Sequence, residues 1–124
     1  MLKNNPLVSE VIGCAIEVHK VLGPGLLKSA YEACLCRELE LQNIAFRRQA
    51  PLTFEYKGMT IDCAYRMNIV VADSLLLELK SVDQIHPIHE AQIISYLKLA
   101  KLKPGLLINF NVRLLKYGLS SFLN

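Results

Sequence analysis

Over residues 7–22 the apolar positions Val8, Val11, Ile12, Ala15, Ile16 and Leu22 recur mostly at three- and four-residue steps, the period of one helix face. Gly23-Pro24-Gly25 ends that helix, since two glycines around a proline cannot continue it. A second helix is predicted over 26–42, with Leu27, Ala30, Tyr31, Cys34, Leu35 and Leu39 turned inward. Lys28, Arg37, Glu38 and Gln42 stay wet, and Asn43 suits the C-terminal cap. The period then drops to two. Residues 46–49 and 52–56 read as short strands, Lys57-Gly58 as a turn, and 59–71 as a long strand or a bent pair. Ala72-Asp73-Ser74 is a loop before a strand over 75–81. Pro87 opens a third helix running to residue 102, with Ile93, Ile94, Leu97 and Ala100 as its apolar face. After Lys103-Pro104-Gly105, residues 106–110 form an apolar central strand, 112–117 a final edge strand, and 120–124 a tail. Hairpins followed by a helical crossover predict an α/β fold, a mixed central sheet flanked by helices.

Composition narrows the setting. The 124 residues fit one domain spanning 1–124, 52% hydrophobic and 20% charged. No apolar run approaches the ~20 residues that span a bilayer. The start, Met1-Leu2-Lys3-Asn4-Asn5-Pro6, lacks the apolar stretch of a signal peptide, so a cytoplasmic, membrane-free protein is expected. A net charge of +3 is compatible with a nucleic-acid partner without arguing for one. Cys14, Cys34, Cys36 and Cys63 contain no C-x-x-C pair, and Cys34 and Cys36 lie about 200° apart around a helix. Reduced cysteines, and no iron–sulfur cluster, are expected.

The chemistry concentrates in Leu75-Leu76-Leu77-Glu78-Leu79-Lys80. Residues two apart on a strand share a face, so Glu78 and Lys80 project together from an apolar run. A buried charge needs a partner or a metal. The pair suits a site in which the carboxylate holds a divalent cation and the lysine handles a water or a phosphate. The blander alternative is a Glu78–Lys80 ion pair on a half-exposed strand. With a three-residue loop at Ala72-Asp73-Ser74, Asn68 falls directly opposite Glu78, where such a site would want a second carboxylate. The same register turns Leu77, Leu79 and Ile69 to the other face, under a helix. On the third predicted helix, Gln92 and Tyr96 lie four apart and share a face.

These blocks together resemble the GxxExxY proteins, a branch of the PD-(D/E)XK nuclease superfamily. The resemblance is carried by Ala15-Ile16-Glu17-Val18-His19, the run from Gly23 to Glu32, Asp62-Cys63-Ala64-Tyr65-Arg66, Glu78-Leu79-Lys80, His89-Glu90-Ala91-Gln92 and Leu107-Ile108-Asn109-Phe110, in order. It implies a restriction-endonuclease-like αβββαβ core with an extra N-terminal helix. By that resemblance Glu78 is a metal-binding acid, the Leu79 carbonyl a further ligand and Lys80 the catalytic lysine. Gln92 and Tyr96 match the accessory pair of the RecB-like branch, and Glu17 or Glu32 supplies another acid.

Two positions depart from the family pattern. Asn68 stands where the motif has aspartate, and Lys28 where the family's naming glutamate belongs. If both line the site, local charge rises by about three units, and Mg²⁺ or Mn²⁺ is held weakly or not at all. With an intact site the resemblance implies metal-dependent phosphodiester hydrolysis, the lysine orienting the attacking water or stabilising the transition state. Arg47, Arg48 and Lys57 are candidate phosphate contacts. The alternative is an inactive pseudo-nuclease that binds nucleic acid or a protein partner. DNA or RNA is the expected partner, and a homodimer stays open.

Overall fold

A computed structural model describes residues 5–124; the N-terminal stretch 1–6 read above lies partly outside the described residues. Helix α1 (Pro6–Leu22) begins where the Asn5 side chain accepts from the Val8 N–H at 3.2 Å. It stops at Gly23, whose φ of 68° is left-handed. Helix α2 (Lys28–Leu41) begins two residues later than predicted, because Leu27 is its extended N-cap and is 80% exposed rather than inward. Asn43 takes a left-handed φ of 57° just past its end, as expected of a capping residue. Strands β1 (Phe46–Tyr56) and β2 (Met59–Val71) form a long hairpin closed by Lys57-Gly58, both at positive φ. β3 (Leu75–Lys80), α3 (Pro87–Ala100), β4 (Pro104–Asn109), a 3₁₀ turn (Leu115–Gly118) and β5 (Leu119–Leu123) follow.

The sheet runs β1-β2-β3-β4-β5, antiparallel throughout except for the β3–β4 pair, which is parallel and joined through α3. This is the αβββαβ core with an extra leading helix, a restriction-endonuclease-like fold. Helices α1 and α2 cover one face, packing Val11, Val18, Tyr31 and Leu35 with Ile69, Leu77, Leu79, Ile108 and Phe110. Helix α3 covers the other, packing Ile93 and Leu97 with Val70, Leu76 and Leu107. No helix among the described residues is long and apolar enough to cross a membrane.

The largest departures from the predicted boundaries are in the outer strands. The two short strands fuse into β1 across Pro51, a residue tolerated on an edge strand beside an irregularity in the pairing. The edge strand predicted over 112–117 is instead a connection ending in the 3₁₀ turn, and the supposed tail is β5. The turn buries Leu115 and brings Gly118 against the end of β4, so the chain reaches β4 as a strand only from Leu119 onward. The apolar faces of the outer helices are narrower than the hydropathy suggests: Ile16 and Ile94 are exposed. α1 buries His19 instead, its Nε2 paired with the Val112 carbonyl at 2.7 Å.

Two stability predictions arise here. Tyr31 stacks on Phe110 with ring centroids 4.5 Å apart, donates to the Gly23 carbonyl at 2.6 Å and accepts from the Leu26 N–H at 3.1 Å. Tyr31→Phe keeps the stack and loses both bonds; it should cost about 1–2 kcal/mol in a denaturant titration. Burial pushes the Cys36 thiol from 9.0 up to about 11, with nearby Arg48 pulling it down and Glu32 and Glu40 adding to the rise. Between these values the folded chain keeps a proton that the unfolded chain has lost, so stability falls as pH rises from 9 to 11. Urea midpoints at the two pH values should show that drop, and Cys36→Ala should reduce it.

Candidate active site

The β2–β3 loop is the three-residue one, with Ile69 opposite Leu77, Val70 opposite Leu76 and Val71 opposite Leu75. Continued one step, this register sets Asn68 across from Glu78 on the face covered by α3. Both residues are 4% exposed. The Asn68 N–H donates to Glu78 Oε2 at 3.1 Å, and the Leu79 N–H donates to Asn68 Oδ1 at 2.7 Å. An N–H can be accepted only by the amide oxygen, so the orientation of the Asn68 side chain is fixed. Its Nδ2 is thus turned to where an aspartate would offer a second oxygen.

The other Glu78 oxygen accepts from the hydroxyl of Tyr65, a residue that the sequence pattern did not single out. Tyr65 owes its place to an irregularity in β2. Pro51 pairs with Arg66 and Thr53 with Asp62, so Leu52 alone faces Cys63, Ala64 and Tyr65. Ala64 takes a φ of 55°, and its N–H is held by Asp62 Oδ1 at 2.8 Å. The ring of Tyr65 then stacks on Tyr96 of α3, centroids 4.2 Å apart and planes 19° from parallel. Tyr96 reaches the carboxylate through that stack. Gln92, one turn earlier on α3, is half-buried.

Burial pushes the Glu78 carboxyl above the usual carboxylate range. The Tyr65 hydroxyl, the Asn68 N–H, and the charges of Lys80 and then Lys28 pull the other way without cancelling the rise. Burial and then the Glu78 charge raise Tyr65, which therefore stays protonated and donates. Lys80 and Lys28 bias the site from a distance, since neither pairs with Glu78 among the described residues. The Glu78–Lys80 ion pair is thus not formed. Lys80 also lies near His89, whose affinity for a proton is lowered by burial and then by that charge.

Glu32 is buried at the margin, close enough for its charge to act on Tyr65. Both its oxygens are taken: Arg48 Nε lies 2.8 Å from Oε2, and Gln49 Nε2 lies 2.8 Å from Oε1 and 3.0 Å from Oε2. The arginines proposed as phosphate contacts are engaged elsewhere, Arg48 with Glu32 and Arg47 with Asp73 at 3.1 Å. Glu17 pairs on the surface of α1 with Lys20.

The far rim is built from side chains whose role the sequence did not reveal. Asn109, at the end of β4, accepts from the Val82 N–H at 3.1 Å and donates to the Val82 carbonyl at 3.0 Å. Asn111 accepts from the Gly25 N–H at 3.1 Å, and Ser81 donates to the Leu26 carbonyl at 2.5 Å. These bonds tie the segment after Lys80 to β4 and to the Gly-Pro-Gly loop. The one sequence signal was Asn109 ending an otherwise apolar strand.

A mixed sheet with Glu and Lys two apart on a central strand, opposite a polar residue on the neighbouring strand, fits a nuclease-type α/β domain. The chain belongs to the PD-(D/E)XK nuclease superfamily, whose family model matches residues 5–121. No curated protein and no solved structure matches it significantly.

Nucleases of this superfamily generally use Mg²⁺ or Mn²⁺, and the donor set present does not fit such an ion. A hard cation wants several oxygens and charge from carboxylates. Here Glu78 has an internal donor on each oxygen, Asn68 is neutral with its oxygen on a backbone N–H, and Glu32 is held by Arg48 and Gln49. Among the described residues no three His, Cys, Asp or Glu side chains converge as a metal group.

Proposed function

We propose that this chain is a nucleic-acid-binding member of the superfamily, of the GxxExxY type and RecB-like in its Gln92–Tyr96 pair, whose metal-dependent hydrolysis is lost. The observation that carries this reading is the closed ring of hydrogen bonds around Glu78. Asn68 holds the Leu79 N–H and presents an amide nitrogen where a second acid would sit. Lys28 and Lys80 keep positive potential over the same site. A phosphodiester backbone matches that potential, and binding of this kind does not require a bound cation. The residues proposed to contact the strand are Lys28 and Lys80, with Gln92 and Tyr96 on the α3 wall.

Fluorescence anisotropy with single- and double-stranded DNA and RNA in EDTA tests the binding. At least one of the four should bind, with log K falling linearly in log salt, and Lys28→Glu should weaken it and shallow that slope. No binding of any of them at low salt would sink this reading.

A further inference from the structure

Tyr65 is fixed from two directions. The irregularity at Cys63–Ala64 sets its backbone, and the stack on Tyr96 sets its ring. Its hydroxyl is delivered to Glu78 Oε1, while the Asn68 N–H takes Oε2. A phenol donor supplies the positive end of a dipole to a carboxylate without bringing a charge. It also occupies lone-pair space that a cation would need.

We propose that Tyr65, stacked on Tyr96, is a positioning residue that holds Glu78 in a closed, hydrogen-bonded state and keeps divalent cations off Oε1. This rests on the reading of a weakened metal centre and adds a separate cause. Asn68 accounts for a missing charge, Tyr65 for a blocked ligand. Tyr96 then bears on Glu78 by clamping the Tyr65 ring.

The two causes separate in a Mn²⁺ titration followed by the EPR signal of free Mn²⁺, on wild-type protein, Asn68→Asp, and Asn68→Asp with Tyr65→Phe. Phenylalanine keeps the stacking ring and removes only the hydroxyl. The double variant should bind Mn²⁺ roughly tenfold more tightly than Asn68→Asp, because the ion no longer displaces a hydrogen bond to a charged group. A purely structural role for Tyr65 predicts equal or weaker binding in the double variant, and that result overturns the proposal alone. Tight binding by the wild-type chain overturns both the proposal and the reading beneath it. If the double variant does not fold, the hydroxyl proton of Tyr65 is read by NMR in wild-type protein. It should be slowly exchanging and far downfield, and move upfield in Glu78→Gln. A freely exchanging hydroxyl at an ordinary shift overturns the proposal.

Discussion

Asn68→Asp is expected to lower the melting temperature in EDTA and to raise it on addition of Mn²⁺, whereas the wild-type melting temperature should not respond to Mn²⁺. The aspartate can still accept the Leu79 N–H with one oxygen, so the local fold has no reason to change. Its second oxygen, however, sets a carboxylate across the sheet from buried Glu78, and two carboxylates about 5 Å apart disfavour ionising together. Without metal this should cost about 1–3 kcal/mol. A divalent cation between the two acids reverses the sign. Unit charges 4 Å apart attract by about 4 kcal/mol at an effective dielectric of 20, and desolvation removes part of that. Mn²⁺ affinity on the order of tenfold or more above wild type should survive the subtraction. Thermal melts over a Mn²⁺ series check both halves, since a ligand that binds only the folded state raises its stability with concentration.

Gly118→Ala should be among the most destabilising single substitutions in the chain, at about 3 kcal/mol or more. A Cβ at Gly118 would lie 2.0 Å from the Asn109 carbonyl oxygen and 3.1 Å from Val112 Cγ2. The first obstacle is backbone, so no side-chain rotation relieves it. Its position also matters for the site. Asn109 holds the Val82 backbone on both sides, and a displaced β4 end would release the segment after Lys80. Urea denaturation measures the loss of stability. Nucleic-acid affinity, measured below the unfolding transition, should fall with it.

The placement of Asn68 against Glu78 was legible because its logic is one of register. A three-residue loop at Ala72-Asp73-Ser74 is enough to place Asn68 opposite Glu78, and the same register sends Leu77 and Leu79 to the face covered by α1 and α2. The superfamily and the αβββαβ core followed from the order of the blocks. Tyr65 was not legible in this way. Three β2 residues opposite one in β1 break the period-two rule on which face assignment depends, and the cause, a left-handed Ala64 held by Asp62, is not visible in hydropathy. The last strand was shifted for a related reason. Leu114 and Leu115 invite an extended reading, but the close approach of Gly118 to Asn109 makes the chain turn first. Leu27 illustrates the converse: an apolar residue at helical spacing that serves as an exposed N-cap. Hydropathy records what a side chain prefers, not which backbone geometry leaves it room.

The central claim is that the Glu78 centre is closed to a catalytic metal while its surroundings still hold a nucleic-acid strand. The most direct measurement is a single-turnover cleavage assay with excess protein, on single- and double-stranded DNA and RNA, in Mg²⁺ and in Mn²⁺. Wild-type protein should bind without cutting, and Asn68→Asp should gain metal-dependent cleavage that Glu78→Gln abolishes. Metal-dependent cleavage by the wild-type chain, lost in Glu78→Gln, would contradict the account.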